Sequence, residues 1–136
     1  MLESAAAARY SQVRNATSTP GELLLALYDG LFRFLNGAKA CIENKQLPRA
    51  RELLSKSHAI VSELTIALDH AVAPELCAQL EGLYGFCIDR IQFASRKADV
   101  TAIEEVTRVL TPLREAWTLA VPKSIAEAHA AANARP

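Results

Sequence analysis

The sequence predicts an all-α protein, an antiparallel four-helix bundle whose helices run up, down, up and down. Four segments carry apolar residues at spacings of three and four, and short polar connections that contain proline separate them. Nothing alternates with a period of two, so no sheet is expected. The 136 residues are expected to form a single domain. Its parts are a mobile N-terminal arm over 1–17, the bundle over 20–121, and an alanine-rich tail over 123–136 that allows a short C-terminal helix.

The first helix is predicted to begin at Pro20 and to run to about Asn44. Thr19 is a good N-cap, Pro20 suits the first helical position because its missing N–H needs no partner there, and Glu22 completes a capping box. The residues predicted to face the core are Leu24, Tyr28, Leu31, Leu35, Ala38 and Ile42.

The second helix is predicted to begin at Pro48 and the third after Pro74, because proline is well tolerated in the first turn of a helix. The core positions predicted for the second helix are Ala50, Leu54, Ser57, Val61, Leu64 and Leu68. Those predicted for the third helix are Cys77, Leu80, Tyr84, Cys87, Ile91 and Ala94.

The fourth helix is predicted to follow Asp99, a favourable cap, and to end near Val121. Pro112 lies inside it, where it removes one backbone hydrogen bond and crowds the carbonyl of Arg108. A kink or a break is expected there. The core positions predicted for this helix are Ile103, Val106, Leu110, Leu113, Trp117 and Val121.

The charge balance and the cysteines exclude several classes of protein. Fifteen basic and fifteen acidic residues give a net charge of zero, which is not the basic surface of a nucleic-acid-binding protein. Three cysteines without a Cys-x-x-Cys pair fit a reducing compartment. The N-terminus lacks the features of a secretory signal, and the longest apolar run, Leu23–Tyr28, is far shorter than the ~20 residues of a membrane span. We expect a cytoplasmic protein without membrane insertion.

The first helix carries more apolar residues than a core-facing stripe of roughly 100° needs. Leu25 and Phe32 lie on one flank of the stripe. The residues on the other flank are Leu23, Phe34 and Cys41.

The third helix carries a similar surplus. Phe86 and Phe93 lie opposite its core positions, and Leu83 lies on the flank. Gly82 and Gly85 indicate that another backbone comes close, because glycine inside a helix costs up to ~1 kcal/mol relative to alanine. Either the ends of the chain cover these rings or another chain binds over them.

Catalytic and metal-binding patterns are missing from the sequence. A di-iron bundle needs Glu-x-x-His pairs, and this chain has none. His58 is the one histidine well inside a predicted helix, and no phosphate-binding glycine loop is present. We therefore predict no catalytic residue, no metal and no cofactor, and a protein that is not an enzyme.

Several motifs lie between residues 10 and 121. They are Tyr10, "TSTPGELLLALYDGLFRFL", "ENKQLPRARELLSKSHAIVSEL", "LYGFCIDRIQFASRKAD" and "LREAW". They resemble the motifs of the flagellin-specific export chaperones, the FliS family. The most specific elements are S/T-P-G-E-L followed by L-Y-D-G, and the terminal R-x-A-W.

The resemblance implies a cytoplasmic chaperone that binds the disordered C-terminal segment of flagellin, prevents its premature polymerisation and helps deliver it to the flagellar type III export gate. It also implies that the segment around Tyr10 masks a binding surface and docks to a component of the gate. The residues that the helical pattern and the resemblance together assign to client binding are Tyr10, Leu23, Leu25, Leu27, Tyr28, Phe32, Leu83, Phe86, Arg90 and Phe93.

Two alternatives stay open at this point. One is a structural or regulatory bundle that forms a homodimer through the same apolar surface and has no flagellin client. The other is a histidine phosphotransfer domain that uses His58.

Overall fold

The computed structural model describes residues 19–133, with side chains through Pro122. In this range the chain forms four helices and no strand, namely α1 (Pro20–Glu43), α2 (Leu47–Ile66), α3 (Pro74–Lys97) and α4 (Val100–Asn133). The fold is the all-α four-helix bundle that the sequence predicts. The predicted arm over 1–17, with Tyr10, lies outside the described residues.

The starts of α1 and α4 are capped as predicted. The Glu22 N–H donates to Thr19 Oγ1 at 3.1 Å, and the Ala102 N–H donates to Asp99 Oδ1 at 3.1 Å. Each bond satisfies an N–H group that has no partner within its own helix. α2 and α3 have no side-chain cap and instead carry proline in the first turn.

Three short connections, residues 44–46, 67–73 and 98–99, join the helices. Lys45 and Ala98 have positive φ angles of 61° and 51° in two of them. This left-handed conformation commonly ends a helix and turns the chain away from the helix axis. Connections of this length make consecutive helices antiparallel neighbours.

The chain divides into two compact units, of which one spans residues 29–110 and contains parts of all four helices. In this unit α1 packs closely on α2, since a Cβ built at Gly37 would lie 3.1 Å from Leu53 Cδ1. α2 is joined to α3 by Arg51, whose Nε donates to the Ser95 carbonyl oxygen at 3.1 Å.

The core of this unit follows the predicted positions except on α1, where Ile42 was predicted in the core and is half-buried. All six positions predicted on α3 are buried, and they are the buried residues of that helix. On α2 the predicted positions from Ala50 to Leu64 are buried, whereas Leu68 lies beyond the helix end and is half-buried. Ser57 is the buried polar residue of α2. Its hydroxyl keeps a hydrogen-bond partner, because it donates to the Leu53 carbonyl at 2.9 Å.

The second unit contains residues 19–28 and 111–133 of the described chain. The start of α1 packs there against α4 at the buried residue Val121. A Cβ built at Gly21 would lie 2.8 Å from Val121 Cγ1, closer than such atoms approach, so glycine is required at this contact. Leu24, Leu113 and Trp117 were predicted in the core and are half-buried.

Of the kink or break expected at Pro112, the break does not occur. α4 continues through Pro112 and Pro122 to Asn133, so the tail extends α4 instead of forming a separate short helix. Pro112 and Arg108 are both exposed. The hydrogen bond that proline removes is therefore on the solvent side, where water can satisfy the free carbonyl.

Gly21→Ala and Gly85→Ala are expected to change stability in opposite directions. In Gly21→Ala the new methyl group meets Val121, and such overpacking lowers the free energy of unfolding by about 1–3 kcal/mol. At Gly85 a Cβ meets no described atom within 4 Å, and the higher helix propensity of alanine adds about 0.5–1 kcal/mol. Urea denaturation of both variants measures these changes. A Gly21→Ala protein as stable as the parent would contradict the close contact with Val121.

Burial raises the pKa of the Cys87 thiol to about 12. Because the thiolate is the reactive form, native Cys87 is expected to resist alkylation at about pH 8, whereas the half-buried Cys41 reacts first. Peptide mapping after iodoacetamide treatment, with and without denaturant, measures both rates. Equal labelling of the two cysteines in the native protein would show that Cys87 is accessible.

Candidate functional site

The outer face of α3 carries apolar side chains that the bundle does not cover. Leu76, Leu83 and Phe86 are 48%, 37% and 40% exposed. Spacings of seven and three keep them on one flank of the helix, and Phe93, seven residues after Phe86, continues the row. We name Leu76, Leu83, Phe86 and Phe93 the α3 stripe. An exposed apolar row at helical spacing is a surface on which a partner helix can pack.

Two glycines lie on the exposed side of α3, and neither a close contact nor the backbone conformation requires glycine at these positions. Neither Gly82 nor Gly85 has a positive φ, and a Cβ built on either would meet no described atom within 4 Å. Gly21 and Gly37, by contrast, are in close contact with neighbouring helices. Gly82 precedes Phe86 by four residues and so leaves a notch next to that ring. Another backbone can approach α3 closely at this notch.

Arg90 covers the C-terminal end of the α3 stripe. Its Cζ lies 4.5 Å from the centroid of the Phe93 ring, and its Nε lies 3.1 Å from Oε2 of Glu105 on α4. The Arg90 Nε is buried and has no hydrogen-bond partner, so its N–H is not aimed at Glu105 and the contact is an ion pair only. Phe93 is half-buried beneath this arginine. Of the two rings predicted to face outward, Phe86 is therefore the exposed one.

The residues predicted for client binding on α1 lie deeper than those on α3. Leu27, Tyr28 and Phe32 are buried, and Leu23 and Leu25 are half-buried. The flanks of α1 are occupied because its start packs on α4 and its second half packs on α2. The apolar surplus of α1 is thus largely used in packing.

The structure brings four of the predicted residues together. Leu83, Phe86, Arg90 and Phe93 lie on one side of α3, within the unit of residues 29–110. Phe32 belongs to the same unit and is part of its core. The other predicted residues of α1 belong to the second unit, and Tyr10 lies outside the described residues.

Leu76 is a member of the α3 stripe that the sequence analysis missed. Its angular position lies close to the core positions of α3, so the helical pattern alone favours burial. It is exposed because it lies in the first turn after Pro74, where a neighbouring helix does not cover it. Ile66 at the end of α2 and Val72 in the α2–α3 connection, 78% and 79% exposed, were missed for the same reason. Closeness to a helix end is the signal that would have identified all three.

The α3 stripe contains neither a nucleophile nor a titratable base, so the chemistry open to this surface is binding. Among the described residues, no group of histidine, cysteine, aspartate and glutamate side chains could hold a metal ion. His58 is half-buried on α2. His70 lies in the α2–α3 connection, where its Nε2 is 3.1 Å from Glu81 Oε2 and both side chains are exposed.

None of the four helices, over the described residues, combines the length and the hydrophobicity that crossing a bilayer requires.

The sequence matches a known family and several named relatives. The family described as flagellar protein FliS matches residues 2–124. The flagellar secretion chaperone FliS of Bacillus subtilis is 34% identical over 120 residues, which cover 88% of this chain and 89% of the relative. The flagellar secretion chaperone FliS of Campylobacter jejuni is 32% identical over 108 residues, covering 79% of this chain and 84% of the relative.

A solved structure supports the same relationship. It is described as a crystal structure of a flagellar chaperone from bacteria, and its TM-score to this chain is 0.72 at 25% sequence identity. The match covers 89% of this chain and 98% of that chain. The similarity therefore extends over nearly the whole of the solved protein.

Arg90→Ala is expected to lower the free energy of unfolding by about 1–2 kcal/mol, because it removes the cation–π contact with Phe93 and the partly exposed ion pair with Glu105. The control is Arg96→Ala, which removes an exposed cation from the same helix and is expected to stay within about 0.5 kcal/mol of the parent. Urea denaturation measures both. Equal stabilities of the two variants would show that Arg90 does not hold α3 to α4.

Proposed function

The chain belongs to the FliS family and is a flagellar export chaperone, and from that premise we propose that its client is the disordered C-terminal segment of flagellin. In this role it keeps the segment from polymerising prematurely and aids its delivery to the export gate. It acts by binding, in the cytoplasm, without catalysis and without a cofactor.

The observation that carries this proposal is the α3 stripe. Leu76, Leu83 and Phe86 leave apolar surface in water, and Gly82 leaves room for a second backbone beside them. A disordered segment that becomes helical on binding can place one apolar face against such a surface. We propose that the client covers Leu83 and Phe86, with Arg90 and Phe93 at the edge of the contact.

The energetics require contacts beyond the stripe. Complete burial of a large apolar side chain is worth about 1.5–3 kcal/mol, so three side chains that are a third to a half exposed contribute roughly 2–4 kcal/mol together. Ordering a disordered client costs about 2–5 kcal/mol or more. The stripe alone therefore roughly offsets the ordering cost, and useful affinity needs additional surface. The client segment must extend over more of the chaperone than α3.

The remaining predicted residues take narrower roles in the proposal. Tyr28 and Phe32 are buried, so they support the fold and do not touch the client directly. Leu23 and Leu25 are half-buried and offer a smaller apolar surface. From the resemblance to the family, we propose that the segment around Tyr10 masks the client surface when no client is bound and docks to a component of the export gate.

A homodimer that uses the α3 stripe is the main competing explanation for the exposed rings. It predicts that the free protein associates as its concentration rises and that self-association excludes a flagellin peptide. Light scattering at several concentrations, with and without the peptide, separates this dimer from the chaperone. Among the described residues, no feature favours phosphotransfer through the half-buried His58.

Phe86→Asp is expected to weaken binding of a C-terminal flagellin peptide by about thirtyfold or more, because a charge replaces an apolar contact at the centre of the interface. Stability is expected to stay within about 1 kcal/mol of the parent, as for other exposed positions. Isothermal titration calorimetry gives the affinity, and urea denaturation gives the stability.

Gln92→Asp is the matched control for this substitution. Gln92 is also exposed on α3 but lies away from the stripe, so the same new charge is expected to leave peptide affinity nearly unchanged. Unaltered binding by the Phe86→Asp protein would refute the proposed surface. Equal losses in both variants would mean that charge on α3, and not the stripe, controls the affinity.

A further inference from the structure

A pocket of about 260 Å³ lies between α1 and α4, within the unit of residues 29–110. Ile103 forms its buried floor. The polar residues that line it are Asn36, Lys39, Glu104, Thr107 and Arg108. It is smaller than the 300–1,000 Å³ typical of cofactor and drug sites, so it suits a single terminal group and not a large ligand.

The charges of the pocket are not neutralised within the fold. Glu104 and Arg108 are four residues apart on α4, a spacing at which opposite charges often pair, yet they form no ion pair in the described structure. Lys39 is also without an ion pair among the described residues. Two cations and one carboxylate leave a net charge of one positive unit around the cleft. This net positive charge favours an anionic group in the cleft.

We infer that this pocket binds the free C-terminal carboxylate of the client, with Lys39 and Arg108 pairing with its charge and the Asn36 amide donating a hydrogen bond to it. This inference rests on the proposed function, because the client there is a C-terminal segment of flagellin, which ends in such a carboxylate. Capture of a terminal carboxylate fixes the register of a peptide that an apolar stripe alone holds loosely.

The pocket and the α3 stripe can be reached by one client segment. α4 presents Glu105 toward Arg90 of α3, whereas Glu104 and Arg108 line the pocket beside α1. The two surfaces are therefore separated by the outer face of α4, and a helix is about 10 Å across. About four extended residues cover that distance at ~3.3 Å each. The pocket thus supplies the additional contact that the energetics of the stripe require.

The test compares two synthetic peptides of the flagellin C-terminal segment, one ending in a free carboxylate and the other in an amide. The parent protein is expected to bind the acid about tenfold more tightly than the amide by calorimetry. The double variant Lys39→Gln with Arg108→Gln is expected to bind both peptides with the affinity that the parent shows for the amide. Lys45→Gln with Arg96→Gln removes the same charge from exposed positions outside the pocket, and this control is expected to keep the tenfold preference.

Each contrary result has a distinct meaning. Equal affinities of the parent for the two peptides, while Phe86→Asp still weakens binding, would overturn the pocket and leave the proposed function standing. The proposal would also be overturned if the double variant bound both peptides more weakly by the same factor and still preferred the acid to the amide. The pocket would then bind a side-chain carboxylate of the client, or no carboxylate. Failure of the parent to bind either peptide would overturn the pocket together with the proposed function.

Discussion

A four-helix bundle has one interior, and each helix can turn only one stripe of side chains into it. On α3 this stripe consists of the six buried residues that recur at core spacing between Cys77 and Ala94. Any further apolar residue on the helix must be covered by a neighbour or remain in water. Phe93 is partly covered by Arg90, and Phe86 remains exposed. The candidate binding surface is therefore a consequence of how α3 fills the core.

In the proposed complex, the two surfaces assigned to the client select for different properties. The α3 stripe contributes free energy through apolar burial, which has little directional preference. The pocket around Lys39 and Arg108 contributes through charge and hydrogen bonding, which depend on geometry. A client that satisfies both is held in one direction and one register. A peptide with only apolar residues would lack this second restraint.

Local patterns predicted most of the fold. The caps at Thr19 and Asp99 and the core positions of α3 depend on residues within a few positions of one another, and all were predicted correctly. The partial cover of Phe93 was not predictable, because it depends on Arg90 being held by Glu105 of another helix. For the same reason, the burial of the α1 flanks and the pocket beside α4 required the packed structure.

The paired glycines of α3 also affect how that helix moves. Gly82 and Gly85 each lower intrinsic helix stability by about 1 kcal/mol relative to alanine, so the turn between them depends on the packing of its neighbours Tyr84 and Cys87. We therefore expect transient opening of the α3 backbone to be concentrated in this turn. The surface proposed for the client then lies on an easily deformed turn of α3, a property suited to guests of slightly different shape.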